Sequence, residues 1–255
     1  MKLTTLGTGT AAPSAGRVCS GHLIETPAVR LLLDCGSGVV FRMAQASIDW
    51  MAITHVALTH FHADHTTDLA TLLFAWRYGA IPWRTAPIAI LGPPGTIDLV
   101  ARLDAAFGGA FMTLGYEVRI EEVPVGAPVA LSADVRLRAQ KVPHTAESVA
   151  YSIEAGGRRI VYTGDTGPDE ALGVWAKGCD LLLAECSLPQ SMAMATHLTP
   201  EGCGALAAGA TPQRLILTHF YPPVELVDIR AIVAERYGGA VTLASDGWSI
   251  ELEER

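Results

Sequence analysis

Within the stretch His60-Phe61-His62-Ala63-Asp64-His65, three of the chain's eight histidines and an aspartate fall in six residues, directly after the apolar run Val56-Ala57-Leu58. Imidazole and carboxylate are the usual ligands of zinc and of related ions such as manganese or iron. In an extended segment, residues two apart point the same way, so His60 and His62 can grip one ion together. A helix starting at Asp64 would turn Asp64 and His65 towards a second position nearby. The bland alternative is a set of capping and surface histidines. Burying so many coordinating groups without a cation would be costly, which favours the metal.

The same grammar recurs three times, each with a ligand-type side chain at the end of an apolar run. His144 follows Val135–Val142, Asp165 follows Ile160-Val161-Tyr162-Thr163-Gly164, and His219 follows Leu215-Ile216-Leu217-Thr218. Singly, each reads as a hydrogen-bonded strand-end residue. Together with the His60 cluster they point to one shared site, because binding sites in layered folds collect at strand ends.

Strands must position these groups. Candidates are Lys2–Leu6, His22–Glu25, Arg30–Asp34, His55–Thr59, Ile88–Leu91, Glu117–Val123, Val135–Val142, Ser148–Glu154, Arg159–Thr163, Leu181–Glu185, Arg214–Thr218, Val241–Leu243 and Ser249–Leu252. Many are continuous Val, Ile and Leu runs, as in sheets covered on both faces. Helices are expected at Gly38–Ala46, Asp64–Arg77, Thr96–Phe107, Asp169–Lys177, Thr199–Ala210 and Val224–Tyr237. Thr199-Pro200-Glu201 supplies a capping hydroxyl and an early proline, and Gly238-Gly239 a stop. The order implies two sheets with helices outside. The proline-rich segment Gly79–Pro94 reads as an ordered loop or cover, apart from Ile88–Leu91.

Length alone, at 255 residues, leaves one large domain or two small ones open. No linker or charge run marks a boundary, so residues 1–255 are taken as a single domain. Half of the residues are apolar and 17% charged, which excludes a disordered chain and predicts a sizeable core. Net charge is −8, from 18 basic and 26 acidic residues. That balance argues against an extended nucleic-acid surface and leaves room only for a small local basic patch. The N-terminus lacks the apolar stretch of a secretory signal, and no run is long enough for an ordinary membrane-spanning helix. The five cysteines are odd in number and show no CxxC, which points to reduced thiols and a cytoplasmic protein.

His-x-His-x-Asp-His, His144, Asp165 in Thr-Gly-Asp-Thr and His219 in Leu-Thr-His-Phe together resemble the metallo-β-lactamase superfamily, nearly end to end. Leu6-Gly7-Thr8-Gly9-Thr10-Ala11-Ala12-Pro13, Leu33-Asp34-Cys35-Gly36 and Leu91-Gly92-Pro93-Pro94-Gly95 look like its ribonuclease Z-like branch. The resemblance implies an α/β fold, a four-layer αββα sandwich of two mixed sheets with helices on both outer faces. It also implies two divalent ions, zinc before manganese or iron. His60, His62 and His144 would hold one ion, Asp64, His65 and His219 the other, and Asp165 would bridge. Asp34 would orient a histidine ligand. In this branch a Glu and a His at the places of Glu185 and His197 are paired, and the His protonates the leaving oxygen. A carboxylate partner favours the charged imidazole, so that role is chemically sound.

Three departures narrow the expectation. Ribonuclease Z proper carries a tRNA-gripping arm between the positions of His144 and Asp165, whereas here only two strands and a turn fit. True β-lactamases of the superfamily often use Cys where Asp165 stands and lack the equivalent of His65. Quorum-quenching lactonases place Tyr where this chain has Pro168. Two decoys also arise. Gly7-x-Gly9-x-x-Ala12 fits a dinucleotide fingerprint, but Pro13, Ser14 and Gly16 oppose the helix it needs, so a loop at the rim of the site is expected. Cys35 and Cys186 beside the site read as small buried residues.

The expected activity is therefore that of a binuclear metal-dependent hydrolase, a phosphodiesterase acting on small phosphodiesters, cyclic phosphates or short RNA. A metal-bridging hydroxide would attack, His197 would act as general acid held by Glu185, and Asp64 would belong to the catalytic set. Rivals are a lactone, ester or thioester hydrolase on the same metals, and an iron-dependent oxidoreductase of the persulfide dioxygenase kind. A catalytically dead binding module is disfavoured by the intact ligand set. A homodimer through an exposed face of Gly79–Pro94 is a further expectation drawn from related enzymes.

Overall fold

The computed structural model describes residues 1–111 and 115–255. The first half forms strands β1 (Lys2–Gly7), β2 (Gly21–Glu25), β3 (Arg30–Leu33), β4 (His55–Ala57), β5 (Ile88–Gly92) and β6 (Val118–Glu122). The second half adds β7 (Pro128–Ala130), β8 (Val135–Lys141), β9 (Val149–Ala155), β10 (Arg158–Tyr162), β11 (Leu181–Glu185), β12 (Arg214–Thr218), β13 (Ala240–Leu243) and β14 (Ser249–Glu251). Between them lie helices α1 (Val39–Gln45), α2 (Ala63–Thr66), α3 (Asp68–Tyr78), α4 (Thr96–Ala106), α5 (Glu170–Trp175), α6 (Pro200–Ala210) and α7 (Ile229–Ala234).

Two seven-stranded sheets result, ordered β14-β1-β2-β3-β4-β5-β6 and β13-β12-β11-β10-β9-β8-β7. Each is mixed. Hairpins build its antiparallel half, and helical crossovers join β3 to β4 and β10 through β12 in parallel. The last strand, β14, returns to pair with β1 and closes the first sheet.

The continuous apolar runs are divided by the period-two alternation of a strand. Leu31 and Leu33 enter the layer between the sheets, with Leu137, Tyr151, Ile153 and Leu183 facing them. Leu32 points the other way, against Val39 and Met43 of α1 and Leu69, Leu73 and Trp76 of α3. On the far side, Leu182 and Ala184 pack with Leu172 of α5, Cys203 and Leu206 of α6 and Val233 of α7. Three apolar layers thus separate four layers of structure, the αββα sandwich. Each fully buried Leu in them contributes about 1.5–3 kcal/mol.

Three elements differ from expectation. The helix foreseen over Asp64–Arg77 is two, because the Asp68 N–H bonds the Cys35 carbonyl at 2.9 Å instead of continuing the ladder. The helix foreseen over Val224–Tyr237 is a tight turn over Pro222–Leu226 followed by α7, restarted where the Asp228 carboxylate accepts the Ala231 N–H at 3.0 Å. Strand β7 went unforeseen, being three residues long and opening on Pro128. The segment between α3 and β5 is an ordered cover. Its buried Arg84 donates to the carbonyls of Met51, Ala86 and Pro87, each at 2.7 Å, and lies over Trp76. Among the described residues no helix is long and apolar enough to cross a membrane.

Candidate metal centre

The strand ends converge. Thr59-His60 leaves β4, the 143–148 loop joins β8 to β9, and Asp165 and His219 follow β10 and β12. Hydrogen bonds from Tyr151 Oη to Leu58 O (2.8 Å) and from Val149 N to Thr59 O (3.0 Å) fasten one sheet's strand ends to the other's. His62 stands at the N-terminus of α2, whose first turn presents Asp64 and His65. Lys141 Nζ donates to the carbonyls of Thr145, Ala146 and Ser148, which gathers the loop that carries His144. His219 sits in the left-handed region at φ 59°.

Two donor groups form. His60 Nε2 and His144 Nε2 lie 3.1 and 3.0 Å from His62 Nδ1, and Asp165 Oδ2 is 3.8 Å from both of those Nε2 atoms. Opposite, Asp165 Oδ1 is 3.3 Å from Nε2 of His65 and of His219, and Asp64 Oδ2 is 3.4 Å from His219 Nε2. The two oxygens of Asp165 thus face different groups. All seven sequence-predicted ligands meet here.

These residues fit a pair of cations. His65 Nε2 and Asp165 Oδ1 are buried and lack hydrogen-bond partners, yet they point at one another's neighbourhood. Burial, then the positive field of His65, pushes His60 down to about 2, so it is a neutral donor. Burial alone would raise Asp64, but its contact with His219, 3.4 Å away, and the charge of His65 hold it at about 2. His65 shows the complementary effect: burial opposes its charge, while Asp165 and Asp34 outweigh burial and raise it well above the imidazole range. The carboxylates of Asp165 and Asp34 thus draw positive charge to this buried position.

Asp34 holds His65 from behind. Its carboxylate accepts from His65 Nδ1 (2.8 Å), Tyr162 Oη (2.9 Å) and the Thr59 N–H (2.7 Å). Thr59 and Tyr162 had no signal in the sequence beyond ending apolar runs. The Glu185–His197 pair also forms, with Nδ1 3.1 Å from Oε1, while the Thr166 N–H donates to the same oxygen at 2.6 Å. Burial works against a charged His197, but the hydrogen bond and charge of Glu185 prevail and raise its pKa. Its ring lies 4.8 Å from that of His144 and 5.9 Å from that of His219, at the edge of the centre.

Both decoys resolve as expected. Residues 7–12 form no helix; Thr8 accepts the Phe220 N–H beside His219, which places the loop at the rim. Cys35 and Cys186 are buried, and burial pushes the Cys35 thiol well up.

A model of the β-lactamase superfamily domain matches residues 29–220, three quarters of the chain. The chain belongs to the β-lactamase superfamily. Ribonuclease Z of Mycobacterium sp. (strain KMS) is 30% identical to this superfamily member over 280 positions, which cover 99% of the chain and 96% of that protein. That alignment is longer than the 255 residues present here, so the relative carries segments with no counterpart. The metallo-β-lactamase fold protein YhfI from Bacillus subtilis superposes with a TM-score of 0.83 at 24% identity, covering 98% of each chain. Human tRNase Z, short form, superposes with a TM-score of 0.81, also at 24% identity, covering 99% of this chain and all of that one. This superfamily member is a ribonuclease Z-like, metal-dependent hydrolase with the αββα fold.

Proposed function

We propose that this protein is a binuclear phosphodiesterase acting on small phosphodiesters, cyclic phosphates or short RNA. The observation that carries the reading is the Glu185–His197 pair, a held proton donor beside a carboxylate whose two oxygens face two donor groups. His60, His62 and His144 would hold one ion and Asp64, His65 and His219 the other, with Asp165 shared. Imidazole and carboxylate donors favour zinc, with manganese and iron as alternatives. When bound, the ions supply Lewis acidity and an activated water at neutral pH.

The protein's own residues then divide the work. Glu185 accepts a hydrogen bond from the Nδ1–H of His197, which leaves the Nε2 proton for the departing oxygen. Asp34 keeps the Nε2 of His65 turned inward. The interval from His144 to Asp165 is filled by β9, a Gly156-Gly157 turn and β10, which leaves no room for a tRNA-gripping arm. That compactness, with the net charge of −8, favours a small substrate. All five cysteines are free and four are buried, as suits a reducing cytoplasm. Exposed Tyr78, Ile81 and Trp83 at the start of the proline-rich cover support a homodimer, which sedimentation would test.

Turnover of bis(p-nitrophenyl) phosphate by chelated protein and by protein reconstituted with zinc or manganese tests the reading. Metal-restored cleavage is expected. Two bound ions without cleavage would overturn it in favour of a lactone, ester or thioester hydrolase, and iron alone with oxygen consumption would favour the oxidoreductase.

A further inference from the structure

Ser187 lies two residues beyond Glu185, just past the end of β11, and is fully buried. Its Oγ bonds Glu185 Oε2, lies 2.9 Å from His219 Nδ1 and stands 3.4 Å from His197 Nδ1. A hydroxyl has a single proton to give. An ionised carboxylate can only accept, so that proton belongs to Glu185. Towards His219 the oxygen can then act only as acceptor, which requires hydrogen on Nδ1. Nε2 of His219, 3.3 Å from Asp165 Oδ1 and 3.4 Å from Asp64 Oδ2, would then be the nitrogen offered to a cation between them.

The other oxygen of Glu185 accepts the Thr166 N–H, and His197 Nδ1 lies 3.1 Å from it and 3.2 Å from Oε2. One buried carboxylate therefore orders two imidazoles, His197 directly and His219 through Ser187. The backbone makes this rigid. Strands β11 and β12 run parallel with Glu185 opposite Thr218, Cys186 N donates to Thr218 O at 2.8 Å, and Tyr221 N donates to Ser187 O at 3.2 Å.

We propose that Ser187 is a positioning residue that sets the Nδ1–H tautomer of His219 and couples this ligand to the Glu185–His197 pair. The inference rests on the reading of His219 as a metal ligand and His197 as proton donor. Residues that hold a metal-binding imidazole in this way are typically worth about 10–100-fold in metal affinity or activity. Ser187→Ala would strand the Nδ1–H of His219 in the interior and leave Glu185 Oε2 only its contact with His197 Nδ1. Ser187→Thr keeps the hydroxyl.

Ring-nitrogen NMR of the metal-free protein in alkaline buffer, where the imidazoles are neutral, reads the tautomer directly. His219 should carry its proton on Nδ1 in the wild type and in Ser187→Thr, and lose that preference in Ser187→Ala. Zinc competition against a chelator should show one of two ions held about tenfold more weakly in Ser187→Ala and restored in Ser187→Thr. A proton on Nε2 in the wild type overturns the proposal even if the alanine variant fails to fold, as does an unchanged tautomer in Ser187→Ala. If the Nδ1–H tautomer depends on Ser187 but the wild type binds fewer than two zinc ions, the coupling to a metal ligand falls together with the binuclear reading. Two bound ions with a tautomer indifferent to Ser187 defeat the positioning role alone.

Discussion

The Asp34 carboxylate lies 2.8 Å from Nδ1 of His65, and it makes that contact from a backbone in the left-handed region at φ 57°. A non-glycine residue in that region is strained, and here the strain is met by hydrogen bonds from Thr59, Tyr162 and His65 to one carboxylate. Asp34→Ala would leave His65 free to turn. Zinc affinity is expected to fall about 10–100-fold, read by competition with a chelator; unchanged affinity would refute the orienting role.

Removing the proton donor should discriminate by leaving group. His197→Ala is expected to slow hydrolysis of a diester with an alkoxide leaving group by about 10²–10⁴-fold, and to leave release of p-nitrophenolate little changed. Glu185 raises His197 above its ordinary value near 6.5. The donor must be protonated, so the alkoxide reaction should decline as pH rises through that raised value. Rate–pH profiles of wild type and His197→Asn check this; a shared alkaline limb would assign the titration elsewhere.

Gly36 is placed where no side chain fits. A Cβ there would come 2.0 Å from the Asp64 carbonyl oxygen and 2.7 Å from the Cys19 Cβ. Backbone cannot yield as a flexible side chain does, so the first turn of α2 would be displaced with its Asp64 and His65. Gly36→Ala is expected to lose bound metal, measured by elemental analysis, and to melt at lower temperature. Full metal occupancy would show that the turn tolerates the shift.

Stability should depend on pH through His22. This histidine is fully buried, both ring nitrogens lack partners, and its ring meets Tyr162 edge-on at 4.9 Å. Burial, then the positive charge of His65 and His219, lowers it from 6.5 to about 3. The unfolded chain therefore takes up a proton below 6.5 that the folded chain refuses until about 3, and stability falls across that window. The loss is about 1.4 kcal/mol per pH unit, or roughly 2 kcal/mol between pH 6.5 and pH 5. Urea midpoints of metal-free protein should drop by that much more in the wild type than in His22→Leu. Parallel curves would deny His22 the effect.

Much of the molecule is legible in the linear chain because it is local. His60, His62, Asp64 and His65 lie within one strand end and one helical turn, and their spacing alone places them together. Apolar runs such as Leu181–Ala184 announce strands buried on both faces, and these elements form as expected. His144, Asp165 and His219 declare themselves by repeating the strand-end grammar.

What the chain order conceals are partnerships between residues far apart in it. Asp34 reaches Tyr162 and His65, and Ser187 reaches His219. Each is a hydrogen bond whose partner is chosen by sheet register, and register is set by the whole core. The break between α2 and α3 is of the same kind, since a carbonyl from Cys35 displaces the local helical bond. Residue types and short spacings thus determined which chemistry was available. Only the packing of two sheets decided which nitrogen of each imidazole faces the centre and which is held from behind, because that choice depends on contacts that exist only after the strand ends meet.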